Sequence, residues 1–349
     1  MASAEATSDD LAGNLSFEVV GKEDDWAMVE DGELKGMQLI AGDKLTSENM
    51  RDADRWRVMP SVAEFSESLK ALVLYKNRYI RELHPSICSL SNLEVLSLVR
   101  CERLTSLPPQ IGDLKNLREL DLMDASEISS IPESIGNLTK LKKLSIGGHQ
   151  GSGNKVLKKL PESLGKMESL EVLCLDKCKE LESLPQSIGK LSKLKVLLMR
   201  ECKAVKELPN SIGNLTSLVE VSLSKCMGLT SIPPSIGSWG DLEDLNLNKC
   251  KNISQLPDSL CDLKSLCLLD LRACKKLTCL PRQIGNLSNL KILDLRTCKR
   301  LETLPVSLGS LTRLEFLDIS DCVDLQIPES LEKFKEMAHG WDDAKLENK

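Results

Sequence analysis

Aromatic residues are scarce in this chain, and histidine is scarcer still. Of 349 residues, 3% are aromatic and three are histidine, whereas 41% are hydrophobic. The core is therefore expected to be aliphatic, mostly leucine, and a platform that stacks nucleic-acid bases on aromatic rings is not expected. His84, His149 and His339 lie far apart in the sequence, which leaves little from which to build a histidine-based triad or a zinc site.

Long apolar runs are also missing. No window approaches the roughly 18 consecutive apolar residues of a membrane span, so no membrane insertion is expected. The stretch from Met1 to Asn14 is polar and acidic and lacks the basic and apolar regions of a secretory signal. We therefore expect a cytoplasmic protein whose thirteen cysteines are reduced.

Enzyme motifs are absent from the sequence. There is no G-x-x-x-x-G-K-[ST] loop for phosphates, no G-x-G-x-x-G opening a helix after a strand, no kinase signature and no G-x-S-x-G elbow. Cys174 and Cys178 form C-x-x-x-C without a second pair at zinc spacing. We predict no catalytic site, cofactor or metal. Cys174 and Cys267, at outward strand positions, are open to two interpretations: redox-sensitive thiols or unreactive ones.

Charge is unevenly distributed along the chain. The net charge is −6. Residues 1–66 carry 15 acidic and 6 basic side chains, a net of −9, which leaves 37 acidic and 40 basic side chains, a net of +3, for the rest. Such a mildly basic remainder is not the electrostatic footprint of a protein that binds nucleic acid.

A regular repeat fills most of the chain. It reads L-x-x-L-x-L-x-x-C-x-x-L-x-x-L-P-x-S-I-G-x-L, and eleven copies begin between Leu69 and Leu314. Nine of the ten intervals between copies are equal, and only the interval from Leu141 to Leu170 is longer, by five positions. The cysteine position keeps the same constant spacing in the last seven copies, at Cys178, Cys202, Cys226, Cys250, Cys274, Cys298 and Cys322. A fixed period of this length predicts a solenoid.

Each repeat combines a short strand with a helical turn. In the second copy, alternation predicts that Leu96 and Leu98 face inward and Ser97 faces outward. The following segment supplies a proline, then a serine and a glycine that suit a helix cap and a tight exit. Because the turns are bulkier than the strands, the stack should curve with the strands on its concave face.

This phrase resembles the leucine-rich repeat over roughly residues 67–328. The variant with cysteine and L-P-x-S-I-G is similar to the repeat regions of plant-type nucleotide-binding disease-resistance proteins and to plant intracellular Ras-group-related leucine-rich-repeat proteins. The resemblance implies an α/β solenoid, a leucine-rich-repeat horseshoe of about eleven 24-residue coils with a parallel concave sheet. The cysteine position is expected to hold Asn77 in the first coil, Ala125 in the third and His149 in the fourth.

Three regions are predicted. Residues 1–66 form an acidic, largely flexible segment with a possible cap over the first coil. Residues 67–328 form the solenoid. Residues 329–349 form a capping helix and tail, because apolar residues recur there at helical spacing as far as Trp341.

The outward columns of the strands are the predicted binding surface. Two interpretations stay open for the charged ones: a docking strip for a protein partner, or a ladder whose charges neutralise one another. An apolar stretch, which includes Val73, Tyr75 and Met123, is either a second contact patch or covered by residues 1–66. The candidate partner-binding residues are Asn246, Asn248, Asp270, Arg272, Asp294, Arg296 and Asp318.

These observations predict non-catalytic protein–protein recognition. By resemblance, the chain would act as an intracellular scaffold or sensor in signalling or plant defence. The alternative is the recognition arm of a larger nucleotide-binding switch protein of the disease-resistance type, whose phosphate-binding module is not in this sequence.

Overall fold

The structure, a computed structural model, describes residues 36–40, 61–63, 67, 69–148 and 153–331. Within 36–40 only the backbone strand is described. The flexibility predicted for the rest of residues 1–66 and the helix predicted beyond residue 331 therefore lie outside the described residues.

The strands form one sheet in chain order. The first strand is antiparallel to the second, and each later pair is parallel. Strands β1 to β12 are Gly36–Ile40, Ala71–Tyr75, Val95–Ser97, Glu119–Asp121, Lys143–Ser145, Val172–Cys174, Val196–Leu198, Glu220–Ser222, Asp244–Asn246, Leu268–Asp270, Ile292–Asp294 and Phe316–Asp318.

The register of the sheet follows the sequence repeat. Leu96 pairs with Leu120, its equivalent in the next copy of the phrase, and the same offset recurs along the parallel part of the sheet. The exception lies between β5 and β6, where Leu144 pairs with Leu173 across the longer interval. Eleven parallel strands, β2 to β12, confirm the predicted solenoid of eleven coils. Strand β1 was not predicted, because its residues belong to no copy of the repeat.

Short 3-10 helices lie on the opposite side of the coils. Proline is the N-cap of most of them, with no side-chain hydrogen bond to the helix. The predicted serine cap is wrong: Ser211 lies inside its helix, after Pro209, and its Oγ is buried with no hydrogen-bond partner. The 3-10 helices are Pro85–Ser89, Ile111–Asp113, Glu133–Asn137, Glu162–Lys166, Gln186–Lys190, Asn210–Asn214, Pro234–Ser238, Asp258–Asp262, Ile284–Asn286, Val306–Ser310 and Glu329–Leu331.

One continuous aliphatic core runs through the stack. Leu96 and Leu98 are fully buried, as the alternation predicted, and the equivalent leucines of neighbouring coils pack against them. Trp239 is also fully buried, and its indole nitrogen donates to the carbonyl of Ile212 at 2.9 Å. A single repeat could not bury these side chains, so the core exists only because the coils stack.

The fourth coil corrects one assignment. Asn154 occupies the cysteine position there, and His149 does not. The amide nitrogen of Asn154 donates to the carbonyl of Ile128 at 2.8 Å, and its Oδ1 accepts from the backbone of Leu157 at 2.7 Å. Asn77 accepts from Ile80 in the same way. The extra residues of this coil therefore precede the repeated loop, so counting forward from Leu141 gave the wrong residue.

A left-handed residue follows each of the parallel strands. The residue before the cysteine position has a positive φ, between 55° and 61° in ten residues that are not glycine. This conformation is costly for an L-residue. It is held by a hydrogen bond to the next coil; Lys249 N donates to the carbonyl of Arg272 at 2.7 Å, for example. The loop that follows connects each strand to the 3-10 helix on the opposite side, along one flank of the stack.

Candidate recognition surface on the sheet

The register brings the predicted site residues together. Asn246, Asp270, Asp294 and Asp318 end strands β9 to β12 and are directly paired partners in the sheet. Asn248, Arg272 and Arg296 follow two residues later, on the same outward face. All seven candidates therefore form one two-column strip across the last four coils.

Side chains of the first column accept hydrogen bonds from the backbone of their own chain segment. Asp270 Oδ1 accepts from the backbone N–H of Arg272 at 2.9 Å, and Asp294 accepts from Arg296 in the same way at 2.9 Å. Asn246 makes the equivalent bond to Asn248 at 3.0 Å. Aspartate and asparagine recur at this position because their short side chains reach the amide two residues on.

The charges of the strip pair with one another. Arg296 Nη2 lies 2.8 Å from Asp294 Oδ2, and its Nε lies 3.4 Å from Asp318 Oδ2. Arg272 Nη2 lies 4.0 Å from Asp270 Oδ2. The Arg272 side chain keeps 27% of its surface exposed, against 12% for Arg296. The self-neutralising ladder is therefore present, and Arg272 is the cation of the strip that remains most accessible.

Burial changes the acidity of this column. Asp270 is buried beside Asp294, and desolvation with the neighbouring negative charge raises its pKa to about 6, although Arg272 and Arg296 oppose the change. A carboxyl with a pKa in this range holds its proton more tightly than an exposed one.

Asp121 belongs to the same outward column of the sheet, and sequence reasoning did not single it out. It lies at the same strand position as Asp270, but Met123 stands where the later coils have arginine. It is fully buried, its Oδ2 has no hydrogen-bond partner, and desolvation raises its pKa to about 7. The sequence signal was available: Asp-Leu-Met in place of Asp-Leu-Arg.

A second pair lies at the centre of the sheet. Arg200 donates to Asp176 from both Nε and Nη2 at 2.7 Å, and its backbone N–H donates to the same carboxylate at 2.6 Å. These residues line a cavity of about 210 Å³ with Lys177, Glu201 and Lys225. Because Lys225 also pairs with Glu201 at 3.1 Å, the cavity is polar and largely charge-balanced.

The outward thiols are not exposed nucleophiles. Cys174 is 8% exposed, and burial raises its pKa far above the ordinary value. Cys267 is half-buried, and burial raises its pKa as well. A thiol with a raised pKa forms little thiolate and reacts slowly. The structure therefore favours the unreactive interpretation for both.

The cysteine column is structural. Seven of its thiols donate to a carbonyl oxygen of the preceding coil, 27 residues earlier, at 2.9–3.4 Å. A thiol is a weak donor, so each of these bonds adds little, but their repetition ties each of these coils to the one before it. All thirteen cysteines of the chain are free.

The apolar outward residues of the first coils are half-buried. Val73, Tyr75, Val99 and Met123 keep part of their surface accessible, and strand β1 lies beside β2 at this end of the sheet. The sheet is thus extended by part of the acidic N-terminal region. Whether a partner contacts the apolar stretch stays a prediction.

Two kinds of feature are absent from the described part of the chain. No group of three or more histidine, cysteine, aspartate or glutamate side chains there is placed to hold a metal ion. Across residues 69–148 and 153–331, no helix has the length and apolar character needed to cross a membrane.

Comparison with known proteins agrees with this architecture. The sequence profile described as "Leucine-rich repeat region" matches residues 54–176, 151–230 and 232–342. The leucine-rich-repeat domain of the type III effector XopL is 23% identical with a TM-score of 0.52, and the match covers 75% of this chain and 77% of that one. No curated protein sequence matches.

A second solved structure comes from a plant. The Arabidopsis receptor kinase HAESA, in complex with the peptide hormone IDA and the co-receptor SERK1, is 24% identical with a TM-score of 0.52. The match covers 78% of this chain and 48% of HAESA, so this chain spans about half the length of that protein. At these identities the likeness shows the fold alone.

Proposed function

Because the chain belongs to the leucine-rich-repeat family, we propose that it recognises a protein partner through the outward face of its sheet. The observation that carries this proposal is the strip of the last four coils, where polar and charged side chains are fixed in register by the backbone. Rigid, preorganised side chains lose little conformational entropy on binding. HAESA, which has the same fold, is in complex with a peptide hormone and a co-receptor.

The proposed role is non-catalytic. The strip holds paired carboxylates and guanidinium groups, and the thiols nearest the sheet have raised pKa values. Neither arrangement supplies an activated nucleophile. We place the protein in the cytoplasm, as a scaffold or sensor in signalling or plant defence, on the strength of its repeat variant and its thirteen free cysteines.

The first prediction concerns Arg272, the accessible cation of the strip. We expect Arg272→Gln to weaken capture of the partner at least about tenfold, because a charge contact at an interface is lost. The measurement is affinity purification from native lysate with quantitative mass spectrometry. Arg296 is unsuitable for this purpose, because it neutralises two buried aspartates.

Arg282→Gln is the matched control, because it removes the same single positive charge. Arg282 is exposed and follows Pro281, on the side of the coil away from the sheet. It should retain the partner and the melting temperature of the unmodified chain. The proposed surface is wrong if Arg272→Gln retains every protein that the unmodified chain and the control retain.

In the alternative role the fold is the same, but the chain is one part of a larger protein. The chain would be the recognition arm of a nucleotide-binding switch of the disease-resistance type, which its L-P-x-S-I-G variant supports. Sequencing the full transcript distinguishes the two roles: an in-frame upstream G-x-x-x-x-G-K-[ST] module favours the switch protein.

A further inference from the structure

A concentrated positive charge lies on the flank of the solenoid, outside the strip. Three consecutive loops follow β9, β10 and β11 at residues 249–253, 273–277 and 297–301, and they contain no acidic residue. We define the basic patch as the six cations of these loops: Lys249, Lys251, Lys275, Lys276, Lys299 and Arg300.

The backbone stacks these cations in register. Lys251, Lys275 and Lys299 each follow the buried cysteine of their coil. Hydrogen bonds join the loops to the next coil, with Lys249 N to Arg272 O and Ala273 N to Arg296 O both at 2.7 Å. Neighbouring coils lie about one strand spacing apart, ~4.8 Å, at the sheet, so the cations at equivalent loop positions form one row.

Nothing within the described part of the chain neutralises the basic patch. Five of its members are exposed and Lys251 is half-buried. None of the six takes part in an ion pair among residues 69–148 and 153–331. By contrast, Lys179 and Lys203 occupy the same position in earlier coils, and the equivalent loops there, 177–181 and 201–205, contain Glu180 and Glu201. The three patch loops contain no acid, and only Glu302 directly follows one of them.

The surroundings of the patch indicate which anion it fits. The large exposed hydrophobic residues of the described chain are Tyr79, Val156, Val306 and Val323, none of them in the three loops. Five of the six cations are lysines, which are depleted from the cores of protein interfaces, and single-stranded nucleic acid needs aromatic platforms. A flat row of cations without anchors matches an anionic lipid surface, where attraction sums over individual lysines and arginines.

We propose that the basic patch docks the protein on the surface of an anionic phospholipid membrane. The contact is electrostatic and peripheral, and it leaves the outward face of the sheet free because the loops lie on the flank. This role is independent of the proposed protein recognition, so either can fail without the other.

The test is co-sedimentation of the full chain with vesicles. Phosphatidylcholine vesicles are compared with vesicles that also contain about 30% phosphatidylserine, a fraction that gives a negative surface potential. We expect the chain to sediment with the anionic vesicles alone, and the bound fraction to fall as salt is raised.

Charge reversal locates the contact. Each cation near such a surface strengthens partitioning by roughly fivefold, so Lys275→Glu with Lys276→Glu should weaken binding by at least about 25-fold. The matched control, Lys179→Glu with Lys203→Glu, makes the same charge change in the same flank and should weaken it by less than about fivefold. If the reversed protein does not fold, Lys275→Gln with Lys276→Gln gives the same comparison at smaller amplitude.

Several outcomes would overturn the proposal. Equal binding to neutral vesicles, no binding to anionic vesicles, or equal weakening by both double variants would each do so. A single-stranded oligonucleotide, or a peptide of residues 1–35, that binds the patch when anionic vesicles do not would assign it to nucleic acid or to an acidic protein segment instead.

Discussion

At the scale of single residues, the outward aspartates of the sheet differ in what surrounds them. Asp294 is paired with Arg296, whereas Asp121 is fully buried with one oxygen lacking a hydrogen-bond partner. Desolvation raises the pKa of Asp121 from 3.8 to about 7, and the attraction of Lys143 does not offset it. The folded chain therefore holds this proton more tightly than the unfolded chain.

The raised pKa of Asp121 makes the free energy of unfolding depend on pH. Between the unfolded pKa of 3.8 and the folded value of about 7, the folded state binds more protons, so the free energy of unfolding falls as pH rises through this window. Asp121→Asn removes the carboxyl group, and with it the free energy needed to ionise that group in a buried site. We expect it to raise the free energy of unfolding by about 1–3 kcal/mol at pH 8 and to change little below pH 4, since one pKa unit corresponds to about 1.4 kcal/mol.

Urea unfolding at several pH values measures this effect. Asp294→Asn, at the same strand position, should act in the opposite direction at pH 8 by about 1–3 kcal/mol, because it removes a carboxylate from a buried arginine. Equal effects of the two substitutions would contradict the difference in their surroundings.

The sequence predicted the orientation of these residues but not their energetics. Alternation along Leu-x-Leu fixes Asp121, Asp270 and Asp294 on one face, because side chains alternate along a strand. Whether a carboxylate there is neutralised depends on the residue two positions later and on the neighbouring coil. The pairing of Arg296 with Asp318 across coils needed the structure.

At the scale of elements, the 3-10 helices of neighbouring coils touch through glycine. A Cβ added to Gly189 would lie 2.3 Å from the carbonyl oxygen of Ser211 in the next coil. This contact involves backbone, which cannot move without separating the coils. The repeated glycine of the phrase is therefore explained by close approach, and the tight exit predicted from sequence is a smaller part of its role.

Gly189→Ala should consequently destabilise the solenoid. We expect the free energy of unfolding to fall by about 1–3 kcal/mol, the usual range for forcing an extra methyl group into a packed contact. Denaturant unfolding checks the value. Gly240→Ala is the control, because a Cβ there meets nothing within 4 Å, and its effect should be neutral or slightly stabilising.

The elements themselves were largely predictable, and the exceptions have physical reasons. Strands and turns recur because every copy of the repeat must bury the same core positions. The repeated sequence therefore predicts each of them. The insertion in the fourth coil was misplaced because the cysteine position can be counted in two ways. Counting forward from Leu141 gives His149, and counting back from Cys178 gives Asn154. Only the hydrogen bonds of Asn154 decide between them.

At the scale of the whole molecule, the cysteines divide by accessibility. Cys279 is exposed, Cys88, Cys267 and Cys322 are half-buried, and the other nine are buried. Burial raises the pKa of Cys101 to about 12 and that of Cys178 and Cys274 well above the ordinary value. Reaction with a thiol reagent proceeds through the thiolate, so the folded solenoid itself should decide which cysteines react.

We expect the native protein to show one rapidly reacting thiol, from Cys279, and the denatured protein to show thirteen, the number of free cysteines. Spectrophotometric titration of freshly purified protein measures both counts. Cys279→Ser should remove the rapid reaction and lower the denatured count by one. A denatured count near zero would contradict the cytoplasmic proposal, because disulfides would then have formed in an oxidising compartment. A native count near thirteen would contradict the continuous core, because seven thiols can bond to the preceding coil only while the coils remain stacked.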